Sequence, residues 1–154
     1  MSAKIIKNLS NFNRVIGQMQ DAGRLRVVVG APGTPHGDGL TDGQLLAIHE
    51  YGNQWTPERS VLRSTLREER KAVLKQLAKD NRKVARGSMT VRQSLGRAGL
   101  YLEGQVKRKF GSSELAPLAP STIEAKGSSA PLIDTGRLRA SITSKIVDKR
   151  EVDE

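Results

Sequence analysis

The chain has 154 residues and a formal net charge of +10, and only 36% of its residues are apolar and 3% aromatic. This length suits one domain with a lean aliphatic core, so residues 1–154 are predicted to form a single domain. The absence of cysteine excludes a disulfide framework and thiol chemistry. No apolar run reaches the length of a membrane span and no signal-peptide core is present, so we expect neither a membrane partner nor export.

The first part of the chain predicts a helix, a strand and a loop. Apolar residues recur at helical spacing over residues 8–22, and Gly23 is predicted to end that helix. The run RLRVVVG, residues 24–30, is rich in β-branched side chains and predicts a strand. Residues 30–39 hold so many glycines and prolines that a loop is predicted there.

A short helix is predicted next, with signals at both ends. Thr41 and Gln44 have the spacing of a capping box, in which each side chain hydrogen-bonds the backbone N–H of the other residue. Gly52 stands where a helix commonly ends in a left-handed residue.

A long basic helix is predicted for the middle of the chain. Thr56 and Pro57 mark its start, because proline is tolerated in the first turn, and its pattern runs to about Arg86. Residues 57–110 hold fifteen basic and five acidic side chains, so the net charge of this segment equals that of the whole chain. The apolar stripe that predicts its core-facing side consists of Leu62, Leu66, Val73, Leu77 and Val84.

Cations on this helix are candidates for contact with phosphates. The DNA-facing or electrostatic candidates are Arg63, Arg67, Arg70, Lys71, Lys75, Lys79, Arg82 and Lys83. A solvated helix surface would carry the same charges, and no aromatic residue lies between Trp55 and Tyr101 to stack on bases. Both interpretations stay open, and the alternative function is that of a basic nucleic-acid-binding protein that contacts phosphates through residues 59–86.

A further helix is predicted from near Thr90 to Gly111. Its predicted buried face consists of Val91, Leu95, Ala98, Leu102 and Val106. Gly96, Gly99 and Gly104 lower its helix propensity, and they would permit another backbone to approach closely.

Residues 111–136 are rich in proline, serine and glycine and are predicted to form an extended loop or arm. Ser121 and Glu124 have capping-box spacing, which predicts one helical turn inside it. The segment RLRASITSKIV after Gly136 is compatible with a helix start or a strand.

Asp134-Thr135-Gly136 is also the short string that carries the catalytic carboxylate of aspartic proteases. That chemistry needs two carboxylates that share a proton in a β-rich body, whereas most of this chain predicts helix and only eighteen residues follow Gly136. We predict instead that Asp134 accepts backbone hydrogen bonds at the start of the last element and that Gly136 permits a turn. His36 and His49 lack partners at metal-binding spacing, so we expect no metal site. Because the protease interpretation is also disfavoured, we expect no catalytic residue, no cofactor and no enzymatic activity.

Three strings together resemble the neck or tail-completion proteins of tailed bacteriophages, also called virion morphogenesis proteins. The first is VVVGAPGTPHGDGLTDGQLLAIHEYG (27–52), and the second is TPERSVLRSTLREER (56–70). The third is LAPLAPSTIEAKGSSAPLIDTGRLRASI (115–142). In the second string this chain has Ser60 and Val61 where family members often carry a proline and an aromatic residue.

The resemblance implies an α+β structural protein of the virion without catalytic residues, assembled in the bacterial cytoplasm. It implies a homo-oligomeric ring at the head–tail joint, where six copies would match the six-fold symmetry. Expected neighbours are the head-side connector or head-closure protein, the tail terminator or tail tube proteins, and packaged DNA. Candidate contacts between subunits are Leu132, Ile133, Arg137 and Arg139.

The predicted fold class is therefore α+β. It combines a small antiparallel sheet with several helices, one of them long and basic, and with the long Pro/Ser/Gly-rich loop.

Overall fold

The structure, a computed structural model, describes residues 2–33, 39–110, 112, 114–127 and 136–151. None of the helices within these ranges is long and apolar enough to cross a bilayer. The elements in chain order are α1 (Ser2–Arg24), β1 (Leu25–Gly30), α2 (Asp42–Tyr51), α3 (Leu62–Arg86), α4 (Val91–Lys109), α5 (Pro120–Lys126), α6 (Arg137–Ser141), β2 (Thr143–Asp148) and a 3-10 turn (Lys149–Glu151).

Strands β1 and β2 pair as a two-stranded antiparallel sheet, and the other described elements are helical. The predicted α+β class, with a small antiparallel sheet and one long basic helix, is confirmed.

The chain divides into two compact units. Unit 1 comprises Met1–Val28, Lys71–Gly99 and Lys145–Glu154, and unit 2 comprises Val29–Arg70 and Leu100–Ser144. Helices α3 and α4 each contribute residues to both units. The expectation that residues 1–154 form a single domain stays a prediction.

Among the residues of unit 1 whose burial the structure describes, the buried apolar side chains are Leu25, Val84, Val91 and Ala98. Polar contacts add to this small core. The Val91 amide donates to Gln18 Oε1 at 2.7 Å, which joins α1 to the start of α4. The Arg24 guanidinium lies 3.1 Å from Asp148 Oδ2, which joins the end of α1 to the end of β2.

Unit 2 contains the main hydrophobic cluster, in which buried side chains from α2, α4 and α6 meet. Helix α2 packs against α6, and Ile142 and Val61 are almost completely buried. The members of the cluster are Leu46, Val61, Val106, Phe110, Leu115, Leu138 and Ile142.

The predicted capping box at the start of α2 is present, and α4 begins with a second capping box that was not predicted. Thr41 Oγ1 accepts from the Gln44 amide at 3.2 Å, and the Gln44 side chain accepts from the Thr41 amide at 2.9 Å. Thr90 and Gln93 form the same reciprocal pair, with distances of 3.1 and 2.9 Å, at the start of α4. Capping boxes satisfy orphan amides within four residues of sequence, so they are visible before the fold is known.

Other boundaries differ from the prediction. Helix α1 begins at Ser2 and contains Gly23, since one glycine weakens a final turn without ending it. The residue after α2, Gly52, has the positive φ that was expected, but its ψ of 176° is extended and not left-handed helical. Helix α3 begins at Leu62, several residues after Thr56 and Pro57.

The predicted apolar stripe of α3 is only partly the buried face. Leu66 is 50% exposed, whereas Thr65 and Asp80 are buried. Of the predicted stripe only Val84 is fully inside, and Leu62, Val73 and Leu77 are half-buried. The packed face is rotated because polar side chains take part in it, which hydrophobic spacing cannot reveal.

Inside the predicted arm, the described residues contain a helix and a core contact. Helix α5 begins at Pro120 after Ala119, without a side-chain cap, so the predicted Ser121 cap is wrong. Leu115 belongs to the core of unit 2. Downstream, Gly136 has φ 76° and precedes α6, and the segment left open by its pattern forms a short helix and then β2.

Candidate functional site

A buried carboxylate of unit 2 organises the start of α3. Glu50 lies in the last turn of α2 and is 3% exposed. Its carboxylate accepts hydrogen bonds from Ser60 Oγ at 2.6 Å and from the backbone amides of Val61, Leu62 and Arg63 at 2.9, 2.9 and 2.7 Å. These amides belong to the helix start, where no earlier carbonyl is available to accept them. Glu50 therefore caps α3 from another helix, which explains why α3 does not begin at Pro57.

Arg63, a predicted DNA-facing residue, is engaged inside this junction. Its guanidinium donates to the Glu50 carbonyl oxygen at 2.5 Å and to Glu58 Oε1 at 2.9 Å. It also lies over the Tyr51 ring, 4.5 Å from the centroid, at a distance suited to a cation–π contact. These contacts place Arg63 in the scaffold that supports the loop after α2.

The hydrogen bonds to Glu50 lower the pKa of its carboxyl from the usual 4.5. Burial alone would raise that pKa, but the Ser60 hydroxyl and the amides of Arg63, Leu62 and Val61 stabilise the charged form more strongly. The native state thus holds the proton less tightly than the unfolded chain does.

We expect this carboxylate to make stability depend on pH. Because its pKa is lower in the folded state, its stabilising contribution is complete above the unfolded pKa and disappears as pH falls through the folded pKa. Urea midpoints of the wild type and Glu50→Gln should therefore differ most at neutral pH and converge as pH falls below 4.5. A constant difference down to acid pH would show that the charge of Glu50 contributes nothing.

Residues 51–56, from the last residue of α2 through the loop that follows it, present two aromatic side chains to solvent, and we call this segment the aromatic loop. Trp55 is 83% exposed and Tyr51 is 67% exposed. The loop is nevertheless ordered by Asn53, whose side-chain oxygen accepts from the amides of Trp55 and Thr56 at 2.9 and 2.7 Å. A large apolar side chain held out by a fixed loop is typical of a protein-contact anchor.

Arg59 holds the beginning of the Pro/Ser/Gly-rich segment. Its side chain is buried, and it donates from Nε to the Ala116 carbonyl at 2.7 Å and from Nη2 to the Pro117 carbonyl at 2.8 Å. Together with the burial of Leu115 in the hydrophobic cluster, these bonds fix the backbone of residues 115–117 within unit 2. Arg59 is thus a structural cation, although the pattern places it in the segment of the alternative function.

A second ion cluster closes the end of α4. Lys109 Nζ lies 2.7 Å from Glu68 and 2.6 Å from Glu114, and the side chain is only 10% exposed. Burial alone would lower the pKa of Lys109, but its bonds to the two carboxylates raise it. An open cleft of about 410 Å³ beside it is lined by three cations, Arg59, Arg67 and Lys109, and by three carboxylates, so it selects neither sign of ligand charge.

The net charge lies entirely in unit 1. Unit 1 holds sixteen basic and six acidic residues, for +10, whereas unit 2 holds ten of each, for zero. Within unit 1 the exposed basic residues of α3 that share one face form what we call the basic row. It consists of Lys71, Lys75, Lys79, Arg82 and Arg86.

The other predicted basic residues of α3 lie elsewhere. Arg67 and Arg70 are exposed in unit 2. Lys83 is half-buried, with its Nζ 3.8 Å from the buried carboxylate of Asp80. Arg86 also belongs to the basic row, although it was not among the eight DNA-facing candidates.

The candidate subunit contacts are partly described. Arg137 Nε lies 3.7 Å from Asp42 Oδ1, and Arg139 Nε donates to the Lys107 carbonyl at 3.0 Å, near the end of α4. Both arginines therefore have contacts within unit 2, and their role between subunits stays a prediction. The remaining site predictions, for Leu132, Ile133, Asp134 and His36, lie outside the described residues.

Pattern reasoning missed Glu50, yet a signal was present. A carboxylate in the last turn of a helix lies at the negative end of the helix dipole, which is unfavourable, so such a residue indicates a stabilising partner elsewhere in the fold.

In the part of the chain that the structure describes, no three His, Cys, Asp or Glu side chains lie together as metal ligands would. Comparison of the chain with protein-family models, curated proteins and solved structures gave no match.

Proposed function

We propose that this chain is a structural protein of the tailed-phage virion, which forms a homo-oligomeric ring at the head–tail joint and acts through protein contacts. The ring would connect the head-side connector or head-closure protein to the tail terminator or tail tube. No catalytic step is part of the proposal.

One observation carries the proposal beyond the resemblance itself. Glu50, in the first resembling string, caps the helix that the second string opens, through bonds to residues 60–63. The second string also supplies Arg59, which donates hydrogen bonds to the carbonyls of Ala116 and Pro117 in the third string. The residues that carry the resemblance thus serve one structural junction, which supports a role for the three strings as a shared scaffold.

Exposed apolar side chains give the molecule surfaces for protein contact. On α1, Phe12, Ile16 and Met19 share a helical face and are 65, 40 and 66% exposed. In unit 2, Trp55 is exposed on its ordered loop. Exposed patches of this kind mark interaction sites when they occur in soluble proteins.

The proposal is tested on virions of a phage that encodes this chain. We expect immuno-electron microscopy of an epitope-tagged copy to label the junction between head and tail, and mass photometry of the purified chain to detect a ring-sized species. Loss of the gene should leave separate heads and tails, and a wild-type copy supplied in trans should join them. A chain absent from purified virions, or joined particles without the gene, would refute the proposal.

A further inference from the structure

We propose that the basic row, Lys71, Lys75, Lys79, Arg82 and Arg86 of α3, is a binding site for the phosphate backbone of duplex nucleic acid, independent of sequence. This inference does not depend on the proposed ring, because it rests only on side chains of unit 1.

The geometry of the row gives a linear array of charge. Its members follow one another at intervals of three or four residues, so at 100° per residue they lie within a sector of about 80°. From Lys71 to Arg86 the row extends over about 22 Å of helix at 1.5 Å per residue. All five residues are exposed, and none forms an ion pair or side-chain hydrogen bond with any residue that the structure describes.

The same helix segment offers no exposed carboxylate to compete. Asp80 is its only acidic residue, and its side chain is fully buried. Asp80 accepts from Gln76 Nε2 at 2.8 Å and faces Arg97 Nη1 at 3.5 Å and Lys83 at 3.8 Å. The exposed face therefore keeps its full positive charge, in contrast to unit 2, where acids and bases balance.

The composition of the row favours duplex phosphates over other polyanions. Single-strand binding uses aromatic side chains that stack on bases, and residues 71–86 contain none. Anchors for an acidic protein partner would include aromatic side chains in a desolvated centre, and the row again offers only long solvated cations. Phosphates need nothing more than positioned cations, and contacts to them carry no base specificity.

Binding of the full-length chain to a labelled DNA duplex, followed by fluorescence anisotropy against salt, tests the proposal. Five phosphate contacts predict a slope of log K against log salt of about −4.5, which is roughly a 500-fold loss of affinity between about 50 and 200 mM. Two duplexes of unrelated sequence should give the same affinity, and a single strand or polyglutamate should bind more weakly.

A matched pair of variants separates the row from net charge. The row variant Lys75→Gln/Lys79→Gln/Arg82→Gln should reduce the slope by about 3 and weaken binding at least tenfold at about 100 mM salt. The control Arg26→Gln/Lys145→Gln/Lys149→Gln removes the same charge from exposed residues elsewhere in unit 1 and should retain the wild-type slope.

Three results would overturn the inference: equal losses in the two variants, no salt-dependent binding, or preferential binding of single strands or polyglutamate. Circular dichroism confirms that each variant keeps its helices. Mass photometry should give the same oligomeric state for the wild type and both variants, because neither triple change touches a proposed subunit contact. A loss of DNA binding is thereby distinguished from a loss of ring assembly.

Discussion

Replacement of Glu50 by alanine is expected to lower the free energy of unfolding by roughly 3–5 kcal/mol. The change removes the acceptor for three backbone amides of the α3 start and for the Ser60 hydroxyl, and it removes one of the two carboxylates that contact the Arg63 guanidinium. Buried donors that lose a charged acceptor retain their full desolvation penalty, so the effect exceeds that of an ordinary lost helix cap. Urea unfolding, followed by the helix band of the circular dichroism spectrum at about 222 nm, measures this loss of free energy.

Two further variants make this expectation specific. Glu50→Gln keeps one acceptor oxygen and should lose less stability than Glu50→Ala. Glu58→Ala removes the other carboxylate that contacts Arg63, but Glu58 is exposed, so this control should cost at most about 1 kcal/mol. Equal effects of Glu50→Ala and Glu58→Ala would mean that the carboxylate of Glu50 is not what holds the helix start.

Replacement of Gly52 by alanine is expected to destabilise the protein by roughly 2–4 kcal/mol. With φ 67° and ψ 176°, Gly52 occupies a backbone region that is essentially restricted to glycine. An added Cβ would also lie 2.8 Å from the Glu58 amide nitrogen and 2.9 Å from the Thr56 carbonyl oxygen, both backbone atoms that cannot rotate away. The same urea titration measures this loss, which reports on the turn that positions the aromatic loop.

Gly104→Ala is the matched control, and we expect the opposite sign. Gly104 lies inside α4, and an added Cβ there meets no atom within 4 Å among those compared, so alanine fits without a clash. Alanine is the better helix former, so stability should rise by roughly 0.5–1 kcal/mol. If both glycine variants changed stability in the same direction, the conformation of Gly52 would not be the cause of its effect.

Features determined by neighbouring residues could be predicted from the sequence. The caps at Thr41 and Thr90 satisfy amides three residues away, and β1 follows from its β-branched run, so their formation needs no knowledge of the fold. The α+β class follows from such elements taken together.

Features determined by distant residues could not. The start of α3 is set by Glu50, eleven or more residues earlier in the chain, and the local signal at Pro57 was outweighed. Asp80 is fully buried with Arg97 of α4 3.5 Å from its carboxylate, so hydrophobic spacing alone placed the inner face of α3 incorrectly. Likewise, the basic residues of segment 59–86 could be counted in the sequence, but only the fold separates Arg59 and Arg63, which form hydrogen bonds within unit 2, from the exposed basic row.

The exposure of Trp55 has a practical consequence for spectroscopy. Trp55 is the only tryptophan of the chain, and 83% of it is already in water in the folded protein. Its indole emission therefore resembles that of a solvated side chain in both the native and the unfolded state, and unfolding must be followed through helix content. The same property makes the emission a selective reporter of quaternary contact, since only a partner that covers the aromatic loop changes the solvent around this indole.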